Sequence, residues 1–282
     1  MNLRSSSIHH VCTYKPDLSL SKLNSTKAVL SIKAGDKKET FDGSLVDAQR
    51  LADVKGLKLV ADAFIKAYMD LEKAKVDPLP DGAKSYLQKL WLETEKGLKT
   101  FSLREDAVQL MKGNLCEEGA ISVLNQMLGI FLTKNETRLS KGVLSGECDI
   151  TYDNKDSKVI RDIKCPIDWM SFRKKQGIDS VYYWQLISYC YLYGATEAYL
   201  DYVLMPSPPE VIGLITKWWS EEDTEAYQAL QDTIEKYVPT ERIKTFKIDS
   251  NDISDDIAFL KTRLKKAEKY YNSLTYEICM GL

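Results

Sequence analysis

Apolar residues recur every three or four positions through much of the N-terminal part of the chain, which is the spacing of amphipathic helices. After Ser44, a suitable N-cap, the pattern runs from Leu45 to Leu71 and is interrupted at Gly56. Two short apolar runs before it, at 28–32 and 39–41, predict a small β-hairpin instead. The first part of the chain is therefore predicted to be mainly helical.

Prolines and a glycine interrupt this pattern at 77–82. We place the domain boundary there. Residues 1–78 are predicted to form an N-terminal, mainly helical extension, whose role its composition does not indicate. Residues 79–282 are predicted to form a second domain that includes the C-terminal helix.

The second domain mixes helical and strand patterns. Helices are predicted at 83–96, 103–128, 181–193 and 210–237, and a charged amphipathic helix from Ile253 to Tyr271 packs on its own domain or at an oligomer interface. Strands are predicted at 131–133, 137–139, 143–152, 158–164, 198–205 and, as an edge strand, 242–248. This order predicts an α/β fold, with a mixed central sheet flanked by helices and helical additions at both ends. Trp218 and Trp219 are expected to pack in the core or against a subdomain.

The composition limits which catalytic groups and metal ligands the chain can use. The net charge of -2 at pH 7 gives no overall basic field. The 6 cysteines form no CxxC pair and His9 and His10 are the only histidines, so the sequence predicts neither zinc nor a histidine-based triad. Catalysis would have to use carboxylates, lysines and water. With no leader-like N-terminus and no long apolar run, we expect a cytoplasmic protein without a membrane segment.

The predicted strand at 158–164 carries two charged residues on one face. Asp162 and Lys164 are two positions apart, and side chains in a strand alternate between faces, so these two lie side by side on an apolar element. Two interpretations remain open for this pair alone: a satisfied ion pair within a sheet, or a catalytic pair.

Three other polar residues are predicted to approach this pair. Asp149 precedes it on a neighbouring strand joined by a hairpin, so the two acids can meet across the sheet. Glu117 is on the preceding helix, and Gln185 is the one amide in the apolar helix 181–193, where a buried amide needs partners. Together they form a candidate site.

Oxygen ligands without histidine or cysteine favour Mg²⁺ or Mn²⁺. Asp149, Asp162 and the main-chain carbonyl of Ile163 are predicted to hold one or two such ions, with Glu117 as a further ligand through water. Lys164 would orient the attacking water and stabilise charge that develops on a phosphate. This set suits metal-assisted hydrolysis of a phosphodiester.

Asp149 followed by Asp162-Ile163-Lys164 resembles the signature of the PD-(D/E)XK nuclease superfamily, with Cys148 where that name has proline. The segments Gly113-x-x-x-Glu117, 145–149, 162–166 and 182–186 resemble, in order, motifs of the YqaJ-like phage recombination exonucleases, the group that contains phage lambda exonuclease. The resemblance covers roughly residues 80 to 275 and leaves the first 78 unexplained.

The resemblance implies a restriction-endonuclease-like core and a Mg²⁺-dependent 5'-to-3' exonuclease that acts on double-stranded DNA ends. It also implies a trimeric ring, a strand-annealing protein as partner and, for a phage-encoded protein, the host cytoplasm. Glu117 takes the family position because it lies four residues after Gly113. Glu118 replaces it if the helix register differs. Some superfamily members carry an iron-sulfur cluster on four cysteines, but the cysteine spacing here predicts none.

DNA contacts are predicted from the basic residues near the site, with a solvated charged surface as the alternative for each. The candidate side chains are Arg173, Lys174, Lys175, Lys134, Arg138 and Lys141. Tyr189 shares a helical face with Gln185 and is predicted either to border the DNA or to pack in the core.

Two other functions remain open. One is an endonuclease or repair nuclease of the same superfamily. The other is a module that binds DNA ends or proteins and retains the fold without turnover.

Overall fold

The computed structural model describes the backbone at 1–12, 16–76, 79–98, 107–248 and 250–279. The chain divides into two compact units, of which the smaller spans Thr13–Ala83 and the larger combines Met1–Cys12 with Lys84–Leu282. The change of unit at residue 83 is close to the boundary predicted after residue 78. The first twelve residues differ from that prediction, because they belong to the larger unit.

The smaller unit consists of helices α2 (Pro16–Asp36), α3 (Leu45–Ala52) and α4 (Lys58–Val76). The predicted N-cap of α3 is confirmed, since the Ser44 hydroxyl accepts a hydrogen bond from the Asp47 amide at 3.1 Å. Gly56 has a φ of +85° between α3 and α4, where L-amino acids with side chains are strained.

The β-hairpin predicted at 28–32 and 39–41 is wrong. Residues 28–32 lie inside α2, and 39–41 have no regular structure. Leu30 and Ala34 are four positions apart and fully buried in the core of the smaller unit with Phe64. The short Val-Leu-Ser-Ile run resembles a strand locally, but this packing selects the helix.

The larger unit contains two sheets. The strands of the four-stranded sheet are β4 (Ile150–Asn154), β5 (Ser157–Lys164), β6 (Glu197–Val203) and β7 (Ile243–Lys247), in that order. β5 and β6 are parallel and the other two pairings are antiparallel, so this sheet is mixed. A three-stranded sheet joins β1 (Leu3–Arg4), β3 (Leu144–Gly146) and β2 (Leu139–Lys141).

Helices cover both faces of the four-stranded sheet. Ala120 and Leu124 of α6 (Ala107–Leu128) pack on Ile163 and Val203 from one side. α8 (Ser180–Tyr193) contacts β5 and β6 from the other side and ends, as predicted, at Gly194 in the left-handed conformation. The remaining helices are α1 (His9–Cys12), α5 (Asp81–Glu95), α7 (Trp169–Lys174), α9 (Pro209–Ile215), α10 (Glu221–Asp232), α11 (Pro239–Arg242) and α12 (Ser250–Cys279).

The strand predictions are partly confirmed. The hairpin of β4 and β5, the strand β6 and the edge strand β7 lie where the sequence places them. Residues 131–138 form no strand, and the strand predicted at 143–152 divides into β3 and β4, which belong to different sheets. Gly146 lies where the chain changes sheets, and a Cβ there would meet Ser5 Oγ at 2.1 Å.

The predicted burial of Trp218 and Trp219 is wrong, since their exposed fractions are 86% and 47%. They lie in the turn between α9 and α10, where Trp219 makes an edge-to-face contact with the Tyr227 ring. By contrast, the predicted stripe of the terminal helix is buried in the larger unit at Ile253, Leu260 and Tyr271. Among the described residues, no helix is both long and apolar enough to cross a bilayer.

Candidate active site

A cleft of about 730 Å³ opens in the larger unit at the end of β5. Its floor is the carboxyl end of that strand, and its walls come from α6, α7 and α8. The structure brings all five predicted catalytic residues to this cleft: Glu117, Asp149, Asp162, Lys164 and Gln185.

The β4–β5 register brings Asp149 and Asp162 together. Ile150 lies opposite Arg161, so Asp149, one residue earlier, reaches Asp162, one residue later. The Asp149 carboxylate accepts a hydrogen bond from the Ile163 amide at 2.6 Å. Burial and then the charge of Asp162 raise the pKa of Asp149 to about 8. A cation between the two carboxylates would relieve this repulsion.

Asp162 and Lys164 form a close ion pair on the cleft side of β5. Lys164 Nζ lies 2.5 Å from Asp162 Oδ2 and 5.0 Å from the centre of the Tyr182 ring. Burial lowers the pKa of Lys164, but the charges of Asp162 and Asp149 outweigh burial and raise it above its usual value. The lysine therefore remains an ammonium group in the cleft.

Asp162 is nearly fully buried, with an exposed fraction of 1%. Despite the nearby ammonium, its Oδ2 atom accepts no well-aligned hydrogen bond from the described residues. A buried carboxylate oxygen without an aligned donor is costly, which makes it a candidate ligand position.

Glu117 lines the cleft, whereas Glu118 is exposed and lies outside its lining. Glu117 Oε2 accepts a hydrogen bond from Lys134 Nζ at 2.9 Å. Lys134, predicted as a DNA contact, thus neutralises an acid of the site. With Glu117 held by this lysine, a role through water is easier than direct ligation.

Gln185 reaches the cleft from α8 with an exposed fraction of 7%. Its Nε2 atom donates a hydrogen bond to Tyr189 Oη at 2.9 Å, which fixes the orientation of the amide. The alternative prediction that Tyr189 borders DNA is wrong, because its ring is only 4% exposed and offers no surface to a ligand.

Only some of the basic residues predicted to contact DNA line the cleft. Lys174 and Lys175 line the cleft, and Lys175 also pairs with Asp179 at 2.9 Å. Arg173 is exposed and lies outside the cleft lining. Two others are engaged away from it: Arg138 Nη2 lies 3.4 Å from Glu147, and Lys141 Nζ donates to the Tyr191 carbonyl at 2.7 Å.

Sequence reasoning missed the contribution of the N-terminus. Ser6 and His9 line the same cleft, although the next lining residue along the chain is Gln109. β1, which brings them there, has only 2 residues, so no periodicity reveals it. Its parallel pairing with β3, Leu3 opposite Leu144, is a long-range contact that local patterns do not contain.

The donor set suits a hard cation. Among the described residues, no group of three or more His, Cys, Asp or Glu side chains is placed to hold a metal ion. Mg²⁺, however, commonly uses only one or two carboxylates and completes its shell with water and phosphate oxygens. Asp149 and Asp162 fit that requirement, since Asp162 Oδ2 contacts the Lys164 ammonium but accepts no well-aligned hydrogen bond from the described residues.

Comparison with known proteins identifies structural relatives. Neither a family model nor a curated protein matches the chain. A solved phage-related exonuclease from Haemophilus somnus 129PT matches with a TM-score of 0.59 and 27% identity, over 73% of this chain and 88% of that one. This match confirms the resemblance to phage-type exonucleases inferred from the motifs.

A second solved protein, an alkaline exonuclease (LHK-Exo) from Laribacter hongkongensis, matches with a TM-score of 0.46 and 12% identity, over 72% of this chain and 88% of that one. At this level of similarity the match adds no argument to the first.

Proposed function

We propose that this chain, which resembles the phage-related exonuclease in fold and sequence, is a PD-(D/E)XK deoxyribonuclease that degrades DNA from double-stranded ends. The observation that carries the proposal is the arrangement of Asp149, Asp162 and Lys164 in one cleft. Two neighbouring carboxylates and an ammonium group on paired strands match the donor set for phosphodiester hydrolysis.

Asp149, Asp162 and the Ile163 carbonyl would hold Mg²⁺ or Mn²⁺, with Glu117 assisting through water. When bound there, such a cation would polarise the scissile phosphate and lower the pKa of bound water. Lys164 orients the attacking water and balances negative charge on the phosphate, because its raised pKa keeps it protonated. Gln185, which lines the cleft and bonds Tyr189, has a second amide hydrogen that would be available to the water or the phosphate.

Lys174 and Lys175 on the cleft wall are proposed to hold backbone phosphates of the DNA. A 5'-to-3' direction, a trimeric ring, a strand-annealing partner and action in the cytoplasm are parts of the same proposal. They rest on the resemblance. The five cysteines whose side chains are described are free, which suits a reducing compartment.

An end-labelled linear duplex tests the proposal. Wild-type protein with Mg²⁺ should release labelled nucleotides, and a metal chelator should stop the release. Asp162→Ala should fold and leave the duplex intact, while Asp153→Ala, an exposed aspartate on the same hairpin, should digest it at the wild-type rate. Full activity of Asp162→Ala would contradict the assignment.

A covalently closed circular duplex separates the exonuclease from the endonuclease alternative. The proposed exonuclease should leave the circle intact and degrade it only after linearisation. Cutting of the closed circle at a rate similar to linear digestion would favour the endonuclease.

A further inference from the structure

Residues 131–138, in the connecting segment between α6 and β2, form no strand and contact two cleft residues, Glu117 through Lys134 and Asp149 through Asn135. Asn135 in this segment makes an unusual number of hydrogen bonds. Its Nδ2 atom lies within bonding distance of the carbonyls of Cys148 at 2.9 Å and Thr137 at 3.2 Å, and of Tyr193 Oη at 3.0 Å. Its backbone amide donates to the Asp149 carbonyl at 2.7 Å. Asn135 therefore bonds the carbonyls on both sides of the Asp149 Cα atom, one through its side chain and one through its backbone amide.

This backbone lacks support from a sheet. β3 ends at Gly146 and β4 begins at Ile150, so residues 147–149 belong to neither strand. The Asp149 carbonyl is bonded by Asn135 rather than by a neighbouring strand. The Asp149 carboxylate is directed by this backbone, since the side chain has only two rotatable bonds, together with the Ile163 amide, which donates to it at 2.6 Å.

Tyr193 reinforces the same arrangement from α8. Its hydroxyl donates a short hydrogen bond to the Thr137 carbonyl and accepts one from Asn135 Nδ2. The neighbouring Lys134 contacts Glu117 on α6. One irregular segment thus reaches two acids that come from different secondary-structure elements.

We propose that Asn135 is a positioning residue that sets the Asp149 carboxylate for binding of a divalent cation. The inference rests on the proposed function, because it assigns Asp149 to that cation. Asn135 does not line the cleft, and its side chain acts through the Cys148 carbonyl, one peptide plane before the Asp149 side chain. Partners that orient a metal ligand in this way typically change metal affinity by about 10- to 100-fold when they are removed.

The chain offers a matched control in Asn125. Its Nδ2 atom donates to the Leu132 carbonyl and its Oδ1 atom accepts from the Leu132 amide, both at 2.9 Å. Asn125 therefore anchors the same connecting segment with the same type of side chain, at Leu132, three residues before Asn135. Loss of either side chain removes hydrogen bonds to this segment, but only the Asn135 side chain bonds the Cys148 carbonyl, in the peptide that precedes Asp149. The backbone bond from the Asn135 amide to the Asp149 carbonyl remains in Asn135→Ala.

The test measures Mn²⁺ binding to the full-length protein by titration calorimetry without DNA. Asn135→Ala should weaken Mn²⁺ binding about tenfold or more, whereas Asn125→Ala should keep the wild-type affinity despite a similar loss of thermal stability. In Mg²⁺ titrations of digestion, Asn135→Ala should need a correspondingly higher concentration for half-maximal rate. Its KM for DNA at saturating Mg²⁺ should be unchanged.

Wild-type Mn²⁺ affinity in folded Asn135→Ala, or an equal loss in Asn125→Ala, would overturn the inference while digestion by wild-type protein still supported the proposed function. Wild-type protein that neither binds Mn²⁺ nor digests DNA would overturn both. If Asn135→Ala does not fold, Tyr193→Phe removes one partner of Asn135 by deleting a single oxygen. It should then weaken Mn²⁺ binding by a smaller factor, and unchanged affinity would reject the inference.

Discussion

Strand β5 carries two buried ion pairs on opposite faces, and they differ in how completely their charges are satisfied. On one face Arg161 binds Asp201 through two hydrogen bonds of 2.7 and 2.8 Å, and Thr245 donates a third to that carboxylate at 2.6 Å. On the other face Lys164 contacts Asp162, whose Oδ2 accepts no well-aligned hydrogen bond from the described residues.

The two ion pairs also differ in solvent exposure. Arg161 and Asp201 are 4% and 0% exposed and are enclosed, whereas the Lys164 side chain is 24% exposed and opens into the cleft. Burial of charge alone therefore does not separate a structural pair from a candidate catalytic one. The two pairs are separated by whether a buried carboxylate oxygen beside a cavity lacks a well-aligned hydrogen-bond donor. Matched substitutions in the two pairs can test this difference.

The largest expected effect is on activity. Asp162→Asn should lower the rate of duplex digestion by more than about 10³-fold, because it removes a charged ligand of the proposed cation. The free energy of unfolding without metal should change by less than about 1 kcal/mol, since the substitution also removes the repulsion of Asp149. Digestion and urea unfolding of the same preparation measure both quantities.

The matched substitution in the pair on the opposite face of β5 should lower stability and leave the digestion rate unchanged. Asp201→Asn should lower the free energy of unfolding by about 3–5 kcal/mol, because it leaves the Arg161 guanidinium buried without its counter-charge. The digestion rate of the protein that remains folded should be unchanged. A stable Asp201→Asn variant without activity would show that the two faces are not separate in function.

Lys164→Met tests the role of the basic residue in the Lys164–Asp162 pair. We expect a rate loss of about 10²–10³-fold, the usual cost of removing one group that stabilises developing charge. Lys158→Met, on the same strand but outside the cleft lining, serves as the control and should digest DNA normally. Normal activity of Lys164→Met would leave the lysine with a structural role only.

The smallest expected effect comes from removing the hydrogen bond between Gln185 and Tyr189. Tyr189→Phe removes the oxygen that accepts the Gln185 amide and should slow digestion about two- to tenfold, the equivalent of one hydrogen bond of 0.5–1.5 kcal/mol. Single-turnover digestion at saturating Mg²⁺ and DNA measures it. An unchanged rate would mean that Gln185 needs no fixed orientation.

Parts of this fold and site can be predicted from local sequence. The β4–β5 hairpin and α8 have strong apolar patterns and clear ends, so the positions of Asp149, Asp162 and Gln185 follow from spacing along them. Other parts depend on distant contacts. Asn135 lies in a segment without periodicity, and its partners Cys148 and Tyr193 are 13 and 58 residues away.

The errors have the same physical origin. The local sequence of residues 28–32 favours a strand, but the packing of Leu30 and Ala34 on a neighbouring helix selects a helix. Trp218 is apolar in composition, yet it lies in a turn with 86% of its surface exposed. In both cases tertiary placement, which local pattern does not encode, decides the outcome.

The membership of residues 1–12 in the larger unit has a consequence for how this chain folds and can be shortened. The smaller unit is an insertion within the sequence of the larger one. Because Leu3 pairs with Leu144, the first strand has no partner until more than half of the chain has left the ribosome. A shortened protein that began at residue 79 would lack one strand and the Ser6 and His9 wall of the cleft. Removal of the inserted unit by joining residue 12 to residue 84 would preserve both.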